Sequence, residues 1–266
     1  MNGTTERPLA LVTGASSGIG LALAKQFAAH GYDLVIAAED DELRAAAEEL
    51  RGLGAEVESV QADLARPQGV EELVERIAGT TRPLAAAAIN AGVGTGGAFV
   101  GETGLDEHLT EVDLNVRSSV HLAYRILPPM VQDGTGKVLF TSSIAATSPG
   151  PFQAVYNASK AFVKSFAEGL REELRDTGVT VTTLMPGLTD TEFFDRAGMR
   201  DTKLGQSDKD SPEEVAEEGF AALMAGKDHV VASSMKNKIQ AAAGHVLPDT
   251  TMAAQHRKMS EPGTAG

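Results

Sequence analysis

The sequence predicts an α/β fold with a doubly wound, mostly parallel sheet and helices on both of its faces. Short apolar runs alternate with longer amphipathic stretches along the whole chain, a pattern typical of repeated βαβ units. The 266 residues are 42% hydrophobic, which is enough for one continuous core. No linker or internal repeat interrupts the pattern, so we predict a single domain over residues 1–266.

Four strands and three helices are predicted in the first half of the chain. Gly31 and Gly52 end the first two helices. The segment Leu84–Ile89 is ambiguous, because four alanines favour a helix, whereas Pro83 and the turn that follows favour a strand. We assign it as a strand because it is short. In chain order, the predicted elements are Leu9–Thr13, 19–30, Asp33–Ala38, 41–51, Val57–Gln61, 69–78 and Leu84–Ile89.

The second half begins with a long predicted helical region, 107–131, and ends with a tail, 261–266, that we expect to be disordered. Residues 188–211 form a polar stretch without periodicity, and loops of this length are usually lids or binding loops. Phe193, Phe194 and Met199 could give such a substrate loop an apolar inner face or could anchor it to the core. The remaining predicted elements are strands at 137–141, 179–185 and His229–Ala232 and helices at 156–175 and 212–225.

Composition and charge exclude several classes of function. A formal charge of −14, no Trp and only three Tyr argue against a nucleic-acid surface, which needs clustered basic and stacking aromatic side chains. The chain has no Cys and its six His lack metal-ligand spacing, so we predict no metal site. No apolar stretch is long enough to span a membrane, and the N-terminus has no signal-peptide pattern. We therefore predict a cytoplasmic protein that binds neither membranes nor nucleic acid.

A glycine-rich turn follows the first strand and opens the first helix, with Gly-x-x-x-Gly-x-Gly spacing. Glycines let a backbone approach a pyrophosphate closely, and the free N–H groups of a helix N-terminus stabilise its charge. The turn could be a tight loop without a ligand, but its place between strand and helix favours a dinucleotide site. The candidate cofactor residues of this turn are Gly14, Ser16, Ser17, Gly18, Ile19 and Gly20.

Glu39 closes the second strand, roughly 20 residues beyond the glycine turn. An acidic side chain there can accept hydrogen bonds from the adenosine ribose, and it repels a 2′-phosphate. Further acids follow Glu39, and the turn carries no Arg or Lys. We therefore predict NAD rather than NADP as the cofactor. The alternative is that these acids only mark a helix start, where negative charge is stabilising.

Tyr156 and Lys160 lie four residues apart, a spacing that places both side chains on one face of a helix. A phenol has an ordinary pKa of roughly 10, and a nearby positive charge lowers that pKa. The pair is thus a candidate proton donor and acceptor. The alternative is that the two residues simply share a helix surface.

Six features in a fixed order give the chain a family resemblance. They are the glycine turn, Asn90-Ala91-Gly92, Asn115, Ser143, Tyr156 and Lys160. In these features the chain resembles the short-chain dehydrogenase/reductase family, single-domain type, over about residues 9–191. The resemblance implies a Rossmann-like fold, a nicotinamide cofactor and hydride transfer between that cofactor and a secondary alcohol or ketone.

The resemblance also implies a catalytic tetrad of Asn115, Ser143, Tyr156 and Lys160. Tyr156 would exchange a proton with the substrate oxygen, and Lys160 would hold the nicotinamide ribose and lower the pKa of Tyr156. Ser143 would hydrogen-bond the substrate oxygen, and Asn115 would keep a water in a proton path to Lys160. Ser142 is the neighbouring alternative to Ser143, and the spacing to Tyr156 decides between them.

Further cofactor contacts are implied by the same resemblance. Asp63 and Leu64 would line the adenine pocket, although Asp63 could instead be a turn or cap residue. The segment after the sixth strand would pack on the nicotinamide. Without the resemblance, the same residues would indicate only the end of the strand. The additional cofactor residues are Asp63, Leu64, Asn90, Ala91, Gly92, Tyr156, Lys160, Pro186, Gly187 and Thr191.

Two departures from the family pattern are visible. Ile89 stands where many members carry an Asn, and we expect this to affect packing more than chemistry. The common Asp-Gly-Gly ending after the last strand is absent, and residues 233–238 run into a tail that contains Met and His. Because of this second departure, we do not predict a tetramer that uses C-terminal contacts. We also do not predict which residues form the floor of the substrate pocket.

We therefore expect an NAD(P)-dependent alcohol dehydrogenase or carbonyl reductase that acts on a small molecule. The alternative is a non-catalytic dinucleotide-binding regulatory or scaffold protein, and a third possibility is an epimerase or dehydratase that works through a transient ketone. We also predict a homodimer or higher homo-oligomer. The reason is an apolar stripe, which could equally face the protein's own sheet, at Ala158, Phe162, Phe166 and Leu170.

Overall fold

The computed structural model describes residues 7–232 and 248–265, and its seven strands belong to one sheet. The strands are β1 (Leu9–Thr13), β2 (Asp33–Ala38), β3 (Val57–Gln61), β4 (Leu84–Ile89), β5 (Gly136–Thr141), β6 (Val179–Pro186) and β7 (His229–Ala232). Their order is β3-β2-β1-β4-β5-β6-β7, and every neighbouring pair is parallel. The predicted parallel α/β architecture is confirmed.

Helices cover both faces of this sheet, and none of those in the described ranges is both long and apolar enough to cross a membrane. They are α1 (Gly18–Ala29), α2 (Glu42–Gly52), α3 (Pro67–Gly79), α4 (Leu105–Val112), α5 (Ser118–Asp133), α6 (Ala154–Glu173), α7 (Phe193–Arg196), α8 (Pro212–Met224) and α9 (Asp249–Ser260). Side chains of α1 and α8 pack on one face, and those of α3, α5 and α6 on the other.

The alanine-rich segment β4 is a strand because it is buried on both faces. Ala86 and Ala88 pack into the core beside α1 and α8, whereas Ala87 and Ile89 pack into the core beside α5 and α6. Its neighbours β1 and β5 satisfy its backbone. A central parallel strand of this kind has no amphipathic period, and the prediction of a strand is confirmed.

The strand order reverses between β1 and β4, which opens a crevice at the carboxyl ends of the strands. Asn90 fixes this end of the sheet. Its side-chain nitrogen donates to the carbonyl oxygen of Thr13 at 3.1 Å, and its side-chain oxygen accepts from Thr141 Oγ1 at 3.0 Å. Thr13 Oγ1 in turn accepts the backbone N–H of Asn90 at 2.9 Å. One amide therefore joins the ends of β1, β4 and β5.

The long predicted helical region is not a single α-helix. A π-helical turn over Asp113–Arg117 separates α4 from α5. Turns of this type widen the helix locally and are frequent at functional sites. The residue at the centre of this turn is Asn115, which the sequence analysis assigns to the tetrad.

The C-terminal part of the chain is more ordered than the sequence indicates. Residues 188–211 contain α7 and a parallel bridge between Thr189 and Asp210. The structure also contains α9, which the sequence analysis does not predict. Residues 261–265, expected to be disordered, instead hydrogen-bond to this loop, because the N–H groups of Gly263 and Ala265 both donate to Asp201 at 2.9 Å. The departure noted at 233–238 lies outside the described residues.

Candidate active site

The crevice at the carboxyl end of the sheet brings the predicted site residues together. Ser143, Tyr156 and Lys160 line it, whereas Asn115 is not part of its lining. Every residue predicted to contact the cofactor lines this crevice. Besides Tyr156 and Lys160, these residues are Gly14, Ser16, Ser17, Gly18, Ile19, Gly20, Glu39, Asp63, Leu64, Asn90, Ala91, Gly92, Pro186, Gly187 and Thr191.

The glycine turn forms a cradle that a side chain would fill. A Cβ on Gly20 would stand 1.9 Å from the carbonyl oxygen of Gly14, and one on Gly14 would stand 3.0 Å from the Cα of Ala91. Ser17, the N-cap of α1, makes no capping hydrogen bond through its side chain. The first N–H groups of α1 are therefore available for an anion, and the turn fits the pyrophosphate of a dinucleotide.

The acidic wall of the crevice contains two residues rather than one. Glu39 is exposed, whereas Asp40 is partly buried and accepts a hydrogen bond from Ser16 Oγ at 2.9 Å. The other oxygen of Asp40, Oδ1, is buried without a hydrogen bond. Asp40 is thus a second carboxylate in the crevice, which the run of acids after Glu39 could have indicated. Arg196 from the loop lies 3.9 Å from its carboxylate.

Asp63 is a turn residue that also lines the crevice. Its Oδ1 accepts the N–H of Ala65 at 2.9 Å, and its Oδ2 lies 3.0 Å from Arg66, so the side chain stabilises the turn after β3. The residue nevertheless lines the crevice, together with the buried Leu64. The turn fixes this part of the crevice, and the contact with adenine stays a prediction.

Tyr156 and Lys160 project from α6 towards the crevice, as their spacing predicts. The Lys160 Nζ lies 5.8 Å from the centroid of the Tyr156 ring and donates to the carbonyl oxygen of Thr141 at 3.0 Å. Lys160 is only 5% exposed. Its ammonium is therefore held by the end of β5 rather than by solvent.

The two neighbouring serines have different partners. Ser142 Oγ donates to the carbonyl oxygen of Lys160 at 2.7 Å and is buried, so it attaches β5 to α6. Ser143 Oγ accepts the N–H of Ala145 at 3.1 Å and interacts with the hydroxyl of Tyr156. Of the two hydroxyls, that of Ser143 interacts with the phenol.

Burial sets the protonation of the Tyr156–Lys160 pair. It raises the pKa of Tyr156 to about 12, although the Ser143 hydroxyl lowers that pKa and the carboxylate of Glu111 raises it further. It also lowers the pKa of Lys160 to about 8, against the carboxylate of Glu111, which raises it. The lowering of the phenol pKa by Lys160 stays a prediction, because in the free protein burial raises that pKa and the neighbours that shift it are Ser143 and Glu111.

Asn115 lies behind the crevice and fixes its wall. Its Nδ2 donates to the carbonyl oxygen of Val93 at 2.8 Å and to Ser159 Oγ at 2.9 Å, and its Oδ1 accepts the N–H of Val93 at 2.9 Å. A Cβ on Gly92 would stand 3.0 Å from both Asn115 Oδ1 and Lys160 Nζ. Asn115 and Lys160 therefore meet across a position that only glycine fills without displacement.

The apolar residues of the substrate loop divide between the two roles considered. Phe193 lines the crevice, and its ring centroid lies 5.0 Å from that of Tyr156. Met199, 1% exposed, packs under Gly96 and anchors the loop. Phe194 does both, because it lines the crevice and belongs to the small cluster formed with Ala197 and Met199.

Several residues in the crevice were missed by the sequence analysis. Met252 and His256 reach it from α9, and Gln153, 3% exposed, reaches it from the start of α6. Burial lowers the pKa of His256 to about 4, and its Nε2 has no hydrogen-bond partner. α9 lies beyond the segment covered by the family resemblance, and no motif marks it.

The class of protein is a Rossmann-like oxidoreductase that uses a nicotinamide dinucleotide. A family model described as short chain dehydrogenase matches residues 8–201. The chain therefore belongs to the short-chain dehydrogenase/reductase family.

Relatives and solved structures agree with this assignment. Sulfoacetaldehyde reductase 2 of Chromohalobacter salexigens is 33% identical over 187 residues, which are 70% of this chain and 74% of the relative. A dehydrogenase of 1-deoxy-11-beta-hydroxypentalenate from Streptomyces exfoliatus is 38% identical over 185 residues, which are 68% and 67% of the two chains.

Two solved structures of the family hold different cofactors. A short-chain dehydrogenase from Sphingobium yanoikuyae in complex with NADPH is 31% identical, with a TM-score of 0.80 and coverage of 90% of this chain and 93% of that chain. One from Burkholderia phymatum in complex with NAD is 26% identical, with a TM-score of 0.82 and coverage of 94% and 95%.

Proposed function

We propose that the protein transfers a hydride between a nicotinamide cofactor and a secondary alcohol or ketone, as an alcohol dehydrogenase or carbonyl reductase. The observation that carries this proposal is that Tyr156, Ser143 and Lys160 line the same crevice as the glycine cradle. A bound nicotinamide supplies or accepts the hydride. The chain itself must hold the substrate oxygen and exchange one proton with it.

Tyr156 and Ser143 act on the substrate oxygen. In reduction the carbonyl carbon gains the hydride with its two electrons, and Tyr156 gives its phenol proton to the oxygen. Ser143 donates a hydrogen bond to that oxygen while negative charge develops on it. In oxidation the proton returns from the alcohol to the phenolate. The raised pKa keeps Tyr156 protonated at neutral pH, so the free protein is prepared for reduction.

Lys160 and Asn115 support this proton exchange. Lys160 Nζ would bind the ribose hydroxyls of the cofactor while it keeps its hydrogen bond to Thr141. Asn115 holds the π-helical turn against Val93, which follows β4, and against Ser159 of α6. The water in a proton path, which the family resemblance assigns to Asn115, remains a prediction.

We infer a preference for NAD from the acids at the end of β2. Glu39 and Asp40 both line the crevice, and the exposed carboxylate of Glu39 can accept from a ribose hydroxyl. A 2′-phosphate would lie against two carboxylates, an arrangement that like-charge repulsion disfavours. Steady-state kinetics with both cofactors test the inference, which fails if kcat/KM is equal or higher with NADP.

The residues that line the crevice beyond Tyr156 favour a substrate with large apolar substituents. Beyond Tyr156 the crevice is lined by the apolar side chains of Phe193 and Leu204 from the loop, Met252 from α9 and Ile144 from the turn after β5. A solved relative from Comamonas testosteroni is described as a bulky-bulky ketone specific alcohol dehydrogenase. We therefore propose that ketones with an apolar substituent on each side are the first substrates to test.

Absorbance of reduced nicotinamide tests the proposal directly. The purified protein is mixed with NADH or NADPH and a panel of ketones, and with NAD or NADP and the corresponding alcohols. Turnover that is lost in Tyr156→Phe supports the proposed function. Cofactor binding without turnover of any panel member would instead support the alternative, a non-catalytic dinucleotide-binding regulatory or scaffold protein.

We also propose a homodimer, formed by an apolar surface on α4, α5 and α6. Leu105 and Leu109 of α4, Tyr124 of α5 and Phe162 of α6 are 68%, 50%, 76% and 41% exposed. The apolar stripe predicted on α6 does not all face outward. Phe162 is exposed, whereas Phe166 turns inward against Phe140 with ring centroids 5.7 Å apart. Sedimentation at micromolar concentration tests the proposal, and a monomer would remove it.

A single catalytic domain and a cytoplasmic location complete the proposal. All seven strands belong to one sheet, which supports one domain. Limited proteolysis tests the domain, since two stable fragments would contradict it. Cell fractionation tests the location.

A further inference from the structure

Glu111 is a buried acid to which the proposed reaction gives no role. Its exposed fraction is 0%, and neither carboxylate oxygen has a hydrogen bond of ordinary geometry. Asp33, the other buried acid among the described residues, is different, since it accepts the N–H of Glu56 at 2.9 Å and lies 2.9 Å from Arg82. Because a buried carboxylate is costly unless its charge is compensated, and the interaction with Thr95 offsets the burial only in part, Glu111 needs a positively charged neighbour.

Lys160 of the proposed tetrad is that neighbour. The carboxylate interacts electrostatically with Lys160 and Tyr156, both on α6, and α4 packs against α6. Glu111 also lies one helical turn before Asn115, whose Nδ2 binds Ser159 of α6 at 2.9 Å. In a buried site of low dielectric, a charge acts over several ångströms without direct contact.

The remaining groups around Glu111 do not neutralise it. Burial raises the pKa of Glu111 to about 7, and hydrogen bonding from Thr95 and the charge of Lys160 lower it only in part. His108, three residues earlier on the same helix, is already engaged, with Nε2 2.7 Å from Thr103 Oγ1. Glu111 and Lys160 are therefore two buried groups that change charge near neutral pH.

We propose that Glu111 is the buried counter-ion of Lys160, a positioning residue that keeps the lysine charged beside Tyr156. The inference rests on the proposed function. Without the carboxylate, burial would favour the neutral amine at a lower pH. Tyr156 would then lose its neighbouring positive charge, and Lys160 would bind the ribose hydroxyls less well.

The pH dependence of ketone reduction tests this role. In the wild-type protein, kcat/KM falls at high pH as Lys160 loses its proton. Glu111→Gln is expected to move this alkaline limb down by about one pH unit, so that activity drops up to about tenfold at pH 8 and stays within about twofold at pH 6. Glu111→Asp, which retains the carboxylate, is expected to restore the limb in part. Asp106→Asn, which removes an exposed acid from the same helix, should leave it unchanged.

A second measurement needs no turnover. The melting temperatures of Glu111→Gln, Lys160→Met and the double variant form a double-mutant cycle without cofactor. At pH 8 each single change removes the same ion pair, so the double variant should lose less than the sum of the single losses. At pH 5, where Glu111 is protonated, the losses should add.

The two measurements separate the failures. Absence of turnover in the wild type, together with a non-additive cycle at pH 8, would remove the proposed reaction and keep the ion pair. An additive cycle at both pH values would overturn the counter-ion. So would a Glu111→Gln defect of equal size at pH 6 and pH 8, which is the result expected for a merely structural residue.

Discussion

The two sides of the crevice are built differently. On the floor, Asn90, Asn115 and Lys160 hydrogen-bond to the ends of strands or to the backbone beside them. The cover, formed by residues 188–211 and α9, is held largely by its own hydrogen bonds and by a small apolar cluster. The floor is thus fixed by the sheet, whereas the cover is fixed mainly by contacts within itself. We expect the floor to determine the rate of the chemical step and the cover to determine which substrate is bound.

The largest expected effect comes from the floor. Tyr156→Phe removes the proton donor and preserves the ring that contacts Phe193. Because general acid catalysis contributes about 10²- to 10⁴-fold, we expect kcat to fall by about 10³-fold with little change in cofactor affinity. Steady-state kinetics and cofactor titration measure both values. Retention of a tenth of the wild-type kcat would contradict the assignment of Tyr156.

The next effect concerns the contact between Asn115 and Lys160. Gly92→Ala places a methyl group 3.0 Å from both polar atoms, so one of them must move. A displacement of about 1 Å can cost about 10²-fold in rate, and we expect a loss of 10- to 100-fold in kcat with a smaller change in melting temperature. Gly52→Ala is the matched control, since a Cβ there has no neighbour within 4 Å. Equal activity of the two variants would show that the floor tolerates displacement.

A third prediction concerns the burial of His256 in the cover and its effect on stability at low pH. Burial lowers the pKa of His256 to about 4 from an ordinary 6.5, so unfolding takes up a proton between these values and stability falls as the pH decreases through them. Between pH 7 and pH 5 this group alone should reduce the free energy of unfolding by about 2 kcal/mol. Urea unfolding of the wild type and of His256→Gln measures the difference. Parallel pH dependence in the two proteins would mean that His256 is not buried by the cover.

The smallest effect is expected for Phe193. Phe193→Ala removes an aromatic wall from the crevice and leaves the floor intact. We expect KM for an apolar ketone to rise about fivefold, in line with the loss of about 1 kcal/mol of apolar contact, while kcat changes less than twofold. Phe162→Ala on α6, which does not line the crevice, is the control for loss of an aromatic ring. A larger effect on kcat than on KM would assign Phe193 to the floor rather than to the cover.

Sequence reasoning succeeded where local pattern and structure agree. The bounds of β1, β2, β3, β4 and β7 are as predicted, because strands are short and end at turn residues. The glycine turn and the Tyr156–Lys160 pair could be recognised for a similar reason, since their function depends on spacing along one element. The glycine turn and the Tyr156–Lys160 pair both belong to the floor.

Other features depend on contacts that spacing does not reveal. The π-helical turn places Asn115 against Val93 and Ser159, and no local propensity specifies these partners. α9 buries only Met252 and Ser260, so it has no amphipathic stripe to recognise. Glu111 resembles any acid on a helix surface until the fold shows it to be buried. The raised pKa of Tyr156 has the same origin, because loss of hydration is a property of the assembled core.

The amide of Asn90 has a consequence for how the site comes into being. Its partners are Thr13, 77 residues earlier, and Thr141, 51 residues later, so three distant parts of the chain must pair before the nucleotide seat is complete. Contacts this far apart in sequence form late, because closing long loops costs entropy. During synthesis, the first 90 residues alone cannot assemble the seat. Competence for the cofactor therefore signals that the central sheet has closed, and a ligand that binds only then stabilises the finished protein over its incomplete forms.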